Sequence, residues 1–195
     1  MPNLAELRKL AAQRITTPFL TVLSRSRIKP NTLTWAGLVV SFVSAYAIAT
    51  GHLVIAGILV LISGLFDILD GALARATAQS TRFGAMLDST FDRLADAALL
   101  FGVALLYLRT GEWVNIVLAF LALVGSFLTS YTRARAEGLG IACPVGLFTR
   151  AERVIILALG LLLDQVLIAL AVLTGLAFFT VGQRLVYVWQ KTRGG

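Results

Sequence analysis

Asp67, Asp70, Asp88 and Asp92 crowd into one short window of an otherwise apolar sequence. Asp67 and Asp70 are three positions apart, and Asp88 and Asp92 four apart, so on helices each pair shares one face. Four converging carboxylates repel one another, and Arg93 alone cannot neutralise them. Hard divalent cations resolve such repulsion, and all-oxygen ligation favours Mg²⁺ or Mn²⁺. The residues therefore predict metal-ion chemistry. Gly71, Ala74 and Gly84 lie in register with the acids and remove bulk where a ligand must approach the backbone. Close helix packing through small residues is the other use of such positions in a membrane. Three of them matched to the acids point to a binding cleft.

The elements that position these acids are membrane helices. Apolar runs predict six spans, at roughly 32–50, 53–76, 83–109, 113–135, 149–164 and 165–188. In the second, the stretch from Val54 to Phe66 is shorter than the roughly 20 residues a bilayer requires, so it carries Asp67 and Asp70 into the membrane edge. The third holds Asp88, Asp92, Arg93 and Asp96 inside an apolar run. Ionisable groups at that depth are costly and mark function or a water-filled cavity. The short polar link 77–82 predicts that these two helices are antiparallel neighbours with their acidic faces meeting. Before the first span, Leu4, Leu7, Leu10 and Ala11 recur at helical spacing against Glu6, Arg8, Lys9 and Arg14, a pattern for an amphipathic interfacial helix. The predicted architecture is an all-α integral membrane protein. It is a single domain over 1–195, with 1–30 interfacial and 31–190 a six-helix bundle. No repeat or low-complexity segment interrupts it, and the polar, basic start does not resemble a removable secretory signal.

Composition agrees. Only 14% of the 195 residues are charged and 58% are hydrophobic, against about 25% charged in soluble domains. A net charge of +7 in a soluble protein would point to nucleic acid; here its placement speaks for the membrane instead, and no nucleic-acid partner is expected. Lys and Arg gather before the first span, in the second-third and fourth-fifth links and at the end of the chain, whereas the opposite loops hold only Arg109. The positive-inside rule then predicts a multi-pass protein of the plasma or inner membrane with both termini cytoplasmic. The lone Cys143 cannot form an internal disulfide, and His52, beside Gly51, reads as a solvated turn residue.

The pattern Asp67-x2-Asp70-Gly71-x2-Ala74-Arg75-x8-Gly84-x3-Asp88-x3-Asp92 resembles the signature of the CDP-alcohol phosphotransferase family at every position. The resemblance extends over essentially the whole chain, including a Pro30-Asn31 entry to the first span. It implies a transferase whose four aspartates hold one or two divalent ions, with Asp92 as general base. It further implies a site for CDP-diacylglycerol formed by Asp67, Asp70, Gly71, Ala74, Arg75, Gly84 and Asp88, open to the cytoplasm, and a homodimer among membrane lipids.

The acceptor is argued from basic residues elsewhere. Arg133, Arg135, Arg150, Arg153 and Arg184 all fall at the predicted cytoplasmic ends of the last three spans. Charges setting topology, paired with Glu137 and Glu152, are one reading; guanidiniums gripping an anionic group are the other. The stretches SYTRARAEG, GLFTRAERVIIL and GQRLVYVW are similar to those of actinobacterial phosphatidylinositol phosphate synthases, where basic residues bind the phosphate of inositol phosphate. That resemblance implies Arg133, Arg153 and Arg184 as the phosphate grip, with Arg135 and Arg150 as further candidates. Arg133 stands where the family often has lysine. Glycerol 3-phosphate is the alternative acceptor, giving phosphatidylglycerophosphate. A cation-coupled transporter is the alternative outside the family, but it calls for broken helices or repeat symmetry. Asp96 lies one turn beyond Asp92, outside the signature, where a polar neighbour is its expected partner.

Overall fold

The computed structural model describes residues 29–193, so the expected interfacial helix before the first span lies outside the described residues. Six helices follow: α1 (Pro30–Ala49), α2 (Leu53–Ala76), α3 (Arg82–Thr110), α4 (Trp113–Gly138), α5 (Arg150–Leu162) and α6 (Val166–Arg193). Local chemistry sets their ends. Pro30 starts α1 at a position that needs no N–H donor. Thr81 caps α3 by accepting the Gly84 amide at 2.9 Å. Gly111 ends α3 with φ +76, a left-handed turn that glycine adopts without strain. Thr149 and Glu152 form a capping box at the start of α5.

The chain is an all-α integral membrane protein. Among the described residues, α1, α2, α4 and α6 are long and apolar enough to cross a membrane. Helix α3 has 29 residues, enough length to cross, but it carries the charged cluster. Helix α5 has 13 residues, which rise about 20 Å. Helices α4 and α6 run past their apolar segments to Gly138 and Arg193, because apolarity marks the membrane zone and not the helix end.

Main packing partners follow a closed ring, α1–α2–α5–α6–α4–α3 and back to α1. Helices α2 and α3 bring their acids together as expected, though their backbones are not extensively packed on each other and α1 contacts both. Buried hydroxyls stitch α1 to α2. Ser41 and Ser63 meet at 2.6 Å, Ser63 donates to the Gly37 carbonyl, and Ser44 to that of Ala56. On the other flank, Trp35 packs edge-on against Phe91 of α3. Gly102 of α3 lies so close to α1 that a Cβ there would sit 2.5 Å from the Ala45 carbonyl oxygen. The main core joins Ile48, Val60, Val103, Ala119, Leu161 and Leu170, from the ends of the helices away from the aspartates. One half of the bundle is thus filled with side chains. The other half, at the N-termini of α1, α3 and α5 and the C-termini of α2, α4 and α6, is where the polar cavities open.

Candidate active site

Asp67 and Asp70 project from the last turns of α2, Asp88 and Asp92 from the first turns of α3. Although those helices hardly pack together, one carboxylate oxygen from each of Asp67, Asp70 and Asp88 lies within 4.8 Å of the other two. The gap between the helices is therefore lined with acid. Asp70 is buried, at 4% exposure, and its Oδ2 and the Asp88 Oδ1 are buried with no hydrogen-bond partner among the described residues. Buried acceptors left without a donor are costly, and clustered carboxylate oxygens are the ligand set of a hard divalent cation. The residues fit such an ion.

Asp92 lies beside Asp67, and one guanidinium touches both. The Asp92 Oδ1 is 2.8 Å from Nη1 of Arg150, which also lies 2.5 Å from Oδ1 of Asp67. This overturns the premise that the four acids meet without a positive partner beyond Arg93. Arg93 turns back along α3 to the Ser89 carbonyl, whereas Arg150 arrives from α5, which packs on α2. Its role was missed because nothing near the aspartates in sequence announces it. The Arg150 contacts are close ion pairs through a single nitrogen.

On one side of the acids a cleft of about 460 Å³ is lined by Asp70, Gly71, Ala74, Arg75, Gly84 and Asp88, with Asn31, Gln79 and Thr81. All the expected small residues reach it. Gly84 has a local reason as well: a Cβ there would come 3.0 Å from the capping Thr81 Oγ1 and 3.4 Å from Asn31 Oδ1. At Gly71 the nearest atom is the flexible end of Arg75, at 3.3 Å.

Across the acids lies a second cavity, of about 480 Å³, lined by Asp92, Arg93, Asp96, Arg133, Arg150, Arg153 and Arg184. The structure brings four of the five expected arginines together, while Arg135 is exposed and outside this lining. Each is held differently. Arg133 is exposed and pairs with Glu137 one turn on, at 2.9 Å. Arg153 is buried, and its Nη2 donates to Asp96 Oδ2 at 2.9 Å. Arg184 donates to the carbonyls of Val145, at 3.1 Å, and Thr129. The loop makes room for it at Gly146, where φ is +132 and a Cβ would meet the guanidinium at 2.8 Å. Asp96 finds its polar neighbours in Arg153 and in Ser126, which donates at 2.6 Å. The costly burial of Asp96 on an apolar helix was its visible signal; its partner on α5 was not visible. Glu152 serves the α5 capping box. Cys143 is buried in the loop between α4 and α5, and the exposed His52 Nδ1 lies 3.0 Å from Thr50 Oγ1.

Comparison with known proteins identifies the family. The family model for CDP-alcohol phosphatidyltransferase matches residues 27–182. An archaetidylinositol phosphate synthase of Methanothermobacter thermautotrophicus is 37% identical over 88% of this chain and 89% of its own. A phosphatidylinositol phosphate synthase of Mycobacteroides abscessus is 40% identical over 75% of this chain and 68% of its own. The crystal structure of the Mycobacterium tuberculosis phosphatidylinositol phosphate synthase with CDP-DAG bound superposes with a TM-score of 0.81 at 33% identity, covering 90% of this chain and 94% of that one. The same enzyme in complex with manganese and citrate gives 0.80 at 32%, covering 89% and 88%. With eight signature positions on two facing helix ends and a family match over most of its length, this chain belongs to the CDP-alcohol phosphatidyltransferase family.

Proposed function

We propose that this chain transfers the phosphatidyl-type group of a CDP-linked lipid to inositol 1-phosphate and releases CMP. The observation that carries the acceptor assignment is the cavity in which Arg133, Arg150, Arg153 and Arg184 gather beside Asp92. A phosphate held by those guanidiniums brings an alcohol of the same molecule next to a carboxylate. The relatives named for inositol-phosphate products support that acceptor.

Asp67, Asp70, Asp88 and Asp92 would hold Mg²⁺ or Mn²⁺, consistent with the manganese complex of the structural relative. When bound, such ions supply charge neutralisation for the pyrophosphate and for the leaving CMP. Asp92 accepts the proton of the attacking hydroxyl. The hydroxyl oxygen bonds to the lipid-bearing phosphorus, the phosphorus–oxygen bond to CMP breaks, and its electron pair departs with CMP. Gly71, Ala74, Arg75 and Gly84 line the cleft for the CDP moiety, and the CDP-DAG complex of the structural relative supports that use. Arg133, Arg153 and Arg184 grip the acceptor phosphate, with Arg135 and Arg150 as further candidates. The unit is one membrane domain that acts as a homodimer, with both termini and the active site facing the cytoplasm. Basic residues clustered at the site end of the bundle support that orientation.

The test is a substrate panel. Purified protein with Mg²⁺ and either CDP-diacylglycerol or its ether-lipid counterpart is offered inositol 1-phosphate, inositol, glycerol 3-phosphate and serine. CMP release is expected with inositol 1-phosphate and is lost on chelation of the metal. Consumption of glycerol 3-phosphate alone would replace the acceptor assignment with phosphatidylglycerophosphate synthesis.

A further inference from the structure

Three arginines of the acceptor cavity have partners that leave the metal ligands alone: Arg133 has Glu137, Arg153 has Asp96, and Arg184 has two backbone carbonyls. Arg150 differs. Its guanidinium sits on Asp67 and Asp92, from two helices, and a single Nη1 serves both oxygens. Two carboxylates of the metal-ligand set are thus occupied by a cation belonging to the protein. We propose that Arg150 is an exchangeable counter-charge. It neutralises Asp67 and Asp92 when no divalent cation is bound, and cation binding displaces its guanidinium into the adjoining cavity, where it binds the acceptor's phosphate. This rests on the assignment of Asp67 and Asp92 as metal ligands.

Three features of the structure carry it. Arg150 lines both the small acid-lined pocket shared with Asp67, Asp70 and Asp92 and the larger arginine-lined cavity, so its side chain stands at their boundary. Its backbone is the first residue of α5, pinned by the Thr149–Glu152 capping box, which leaves the long side chain as the moving part. Its present hold is two ion pairs through one nitrogen, whereas Arg184 donates to two carbonyls from separate nitrogens. A guanidinium fork matches phosphate better than two carboxylate oxygens approached by one nitrogen. Asp96 Oδ1, 3.8 Å from the Arg150 Nε, keeps a negative partner beside the base of the fork in either position.

The consequence is linkage: cation and phosphate should each tighten the other, by the same factor. Mn²⁺ binding is measured on the full chain in detergent by electron paramagnetic resonance, with and without inorganic phosphate, for wild type, Arg150→Gln and Arg150→Lys. In the wild type, phosphate is expected to tighten Mn²⁺ by about fivefold or more, within the usual span of coupling between sites. Arg150→Gln should bind Mn²⁺ more tightly than wild type without phosphate, by a similar factor, and should lose most of the phosphate effect. Arg150→Lys, which keeps the charge without the fork, should compete with Mn²⁺ nearly as well as wild type and respond less to phosphate. Equal or weaker Mn²⁺ binding in Arg150→Gln, or an undiminished phosphate effect there, overturns the counter-charge while leaving the metal site standing. No Mn²⁺ binding to wild type overturns the metal assignment and the counter-charge with it. Should Arg150→Gln fail to fold, the lysine variant and the wild-type linkage decide, and absence of linkage in wild type overturns the proposal.

Discussion

Replacing Asp96 by asparagine removes one negative charge and almost no volume. Asp96 Oδ2 accepts from Arg153 Nη2 at 2.9 Å and from Ser126 Oγ at 2.6 Å, and all three residues are buried. At an effective dielectric of about 20, attraction at that separation is about 6 kcal/mol. The asparagine oxygen can still accept from Arg153, and the burial cost of the carboxylate disappears. The net loss is therefore about 3 kcal/mol, the low end for breaking one side of a buried ion pair. For a chain of this size that lowers Tm by roughly 6–12 °C, readable in detergent from tryptophan fluorescence. Function should change in a characteristic way. Arg153 keeps an acceptor but loses the charge that holds it, so the KM for the phosphorylated acceptor rises about tenfold, one weakened charge-assisted contact, while kcat falls less. The double variant with Arg153→Gln should be more stable than the sum of the two losses predicts, by about 2 kcal/mol, as for partners in direct contact. A melting point within about 1 °C of wild type, together with additive double-variant losses, would refute the assignment of Asp96 as the residue that positions Arg153.

Asp92→Asn should lower CMP release by a factor of about 100 to 10,000, the usual contribution of a general base, while CDP-lipid binding by calorimetry persists; near-normal turnover would remove Asp92 from that role. Gly102→Ala should destabilise the bundle by about 1–3 kcal/mol, because its Cβ would stand 2.5 Å from the Ala45 backbone oxygen and only movement of α1 relieves that. An unchanged melting curve would mean that the α1–α3 contact yields freely.

What could be determined from sequence was local. Helix periods place Asp67 with Asp70 and Asp88 with Asp92 on shared faces, and the glycine and alanine register marks the cleft, because both depend on a repeat of a few residues. The six helices were legible from apolarity, though not the ends of α4 and α6, which continue where apolarity stops. Placing Lys and Arg at one end was likewise a matter of counting along the chain. What the tertiary structure decided is which charges meet. Asp96 and Arg153 pair across 57 positions, and Arg150 reaches Asp67 and Asp92 because α5 packs on α2. Likewise, α2 and α3, joined by a short link, bring their acids together without extensive packing, and α1 contacts both. Hydrophobic burial is non-directional and tells a helix which face to hide, not which helix to hide it against. The order of the ring, and with it the identity of the cation facing the aspartates, exists only once all six helices are packed.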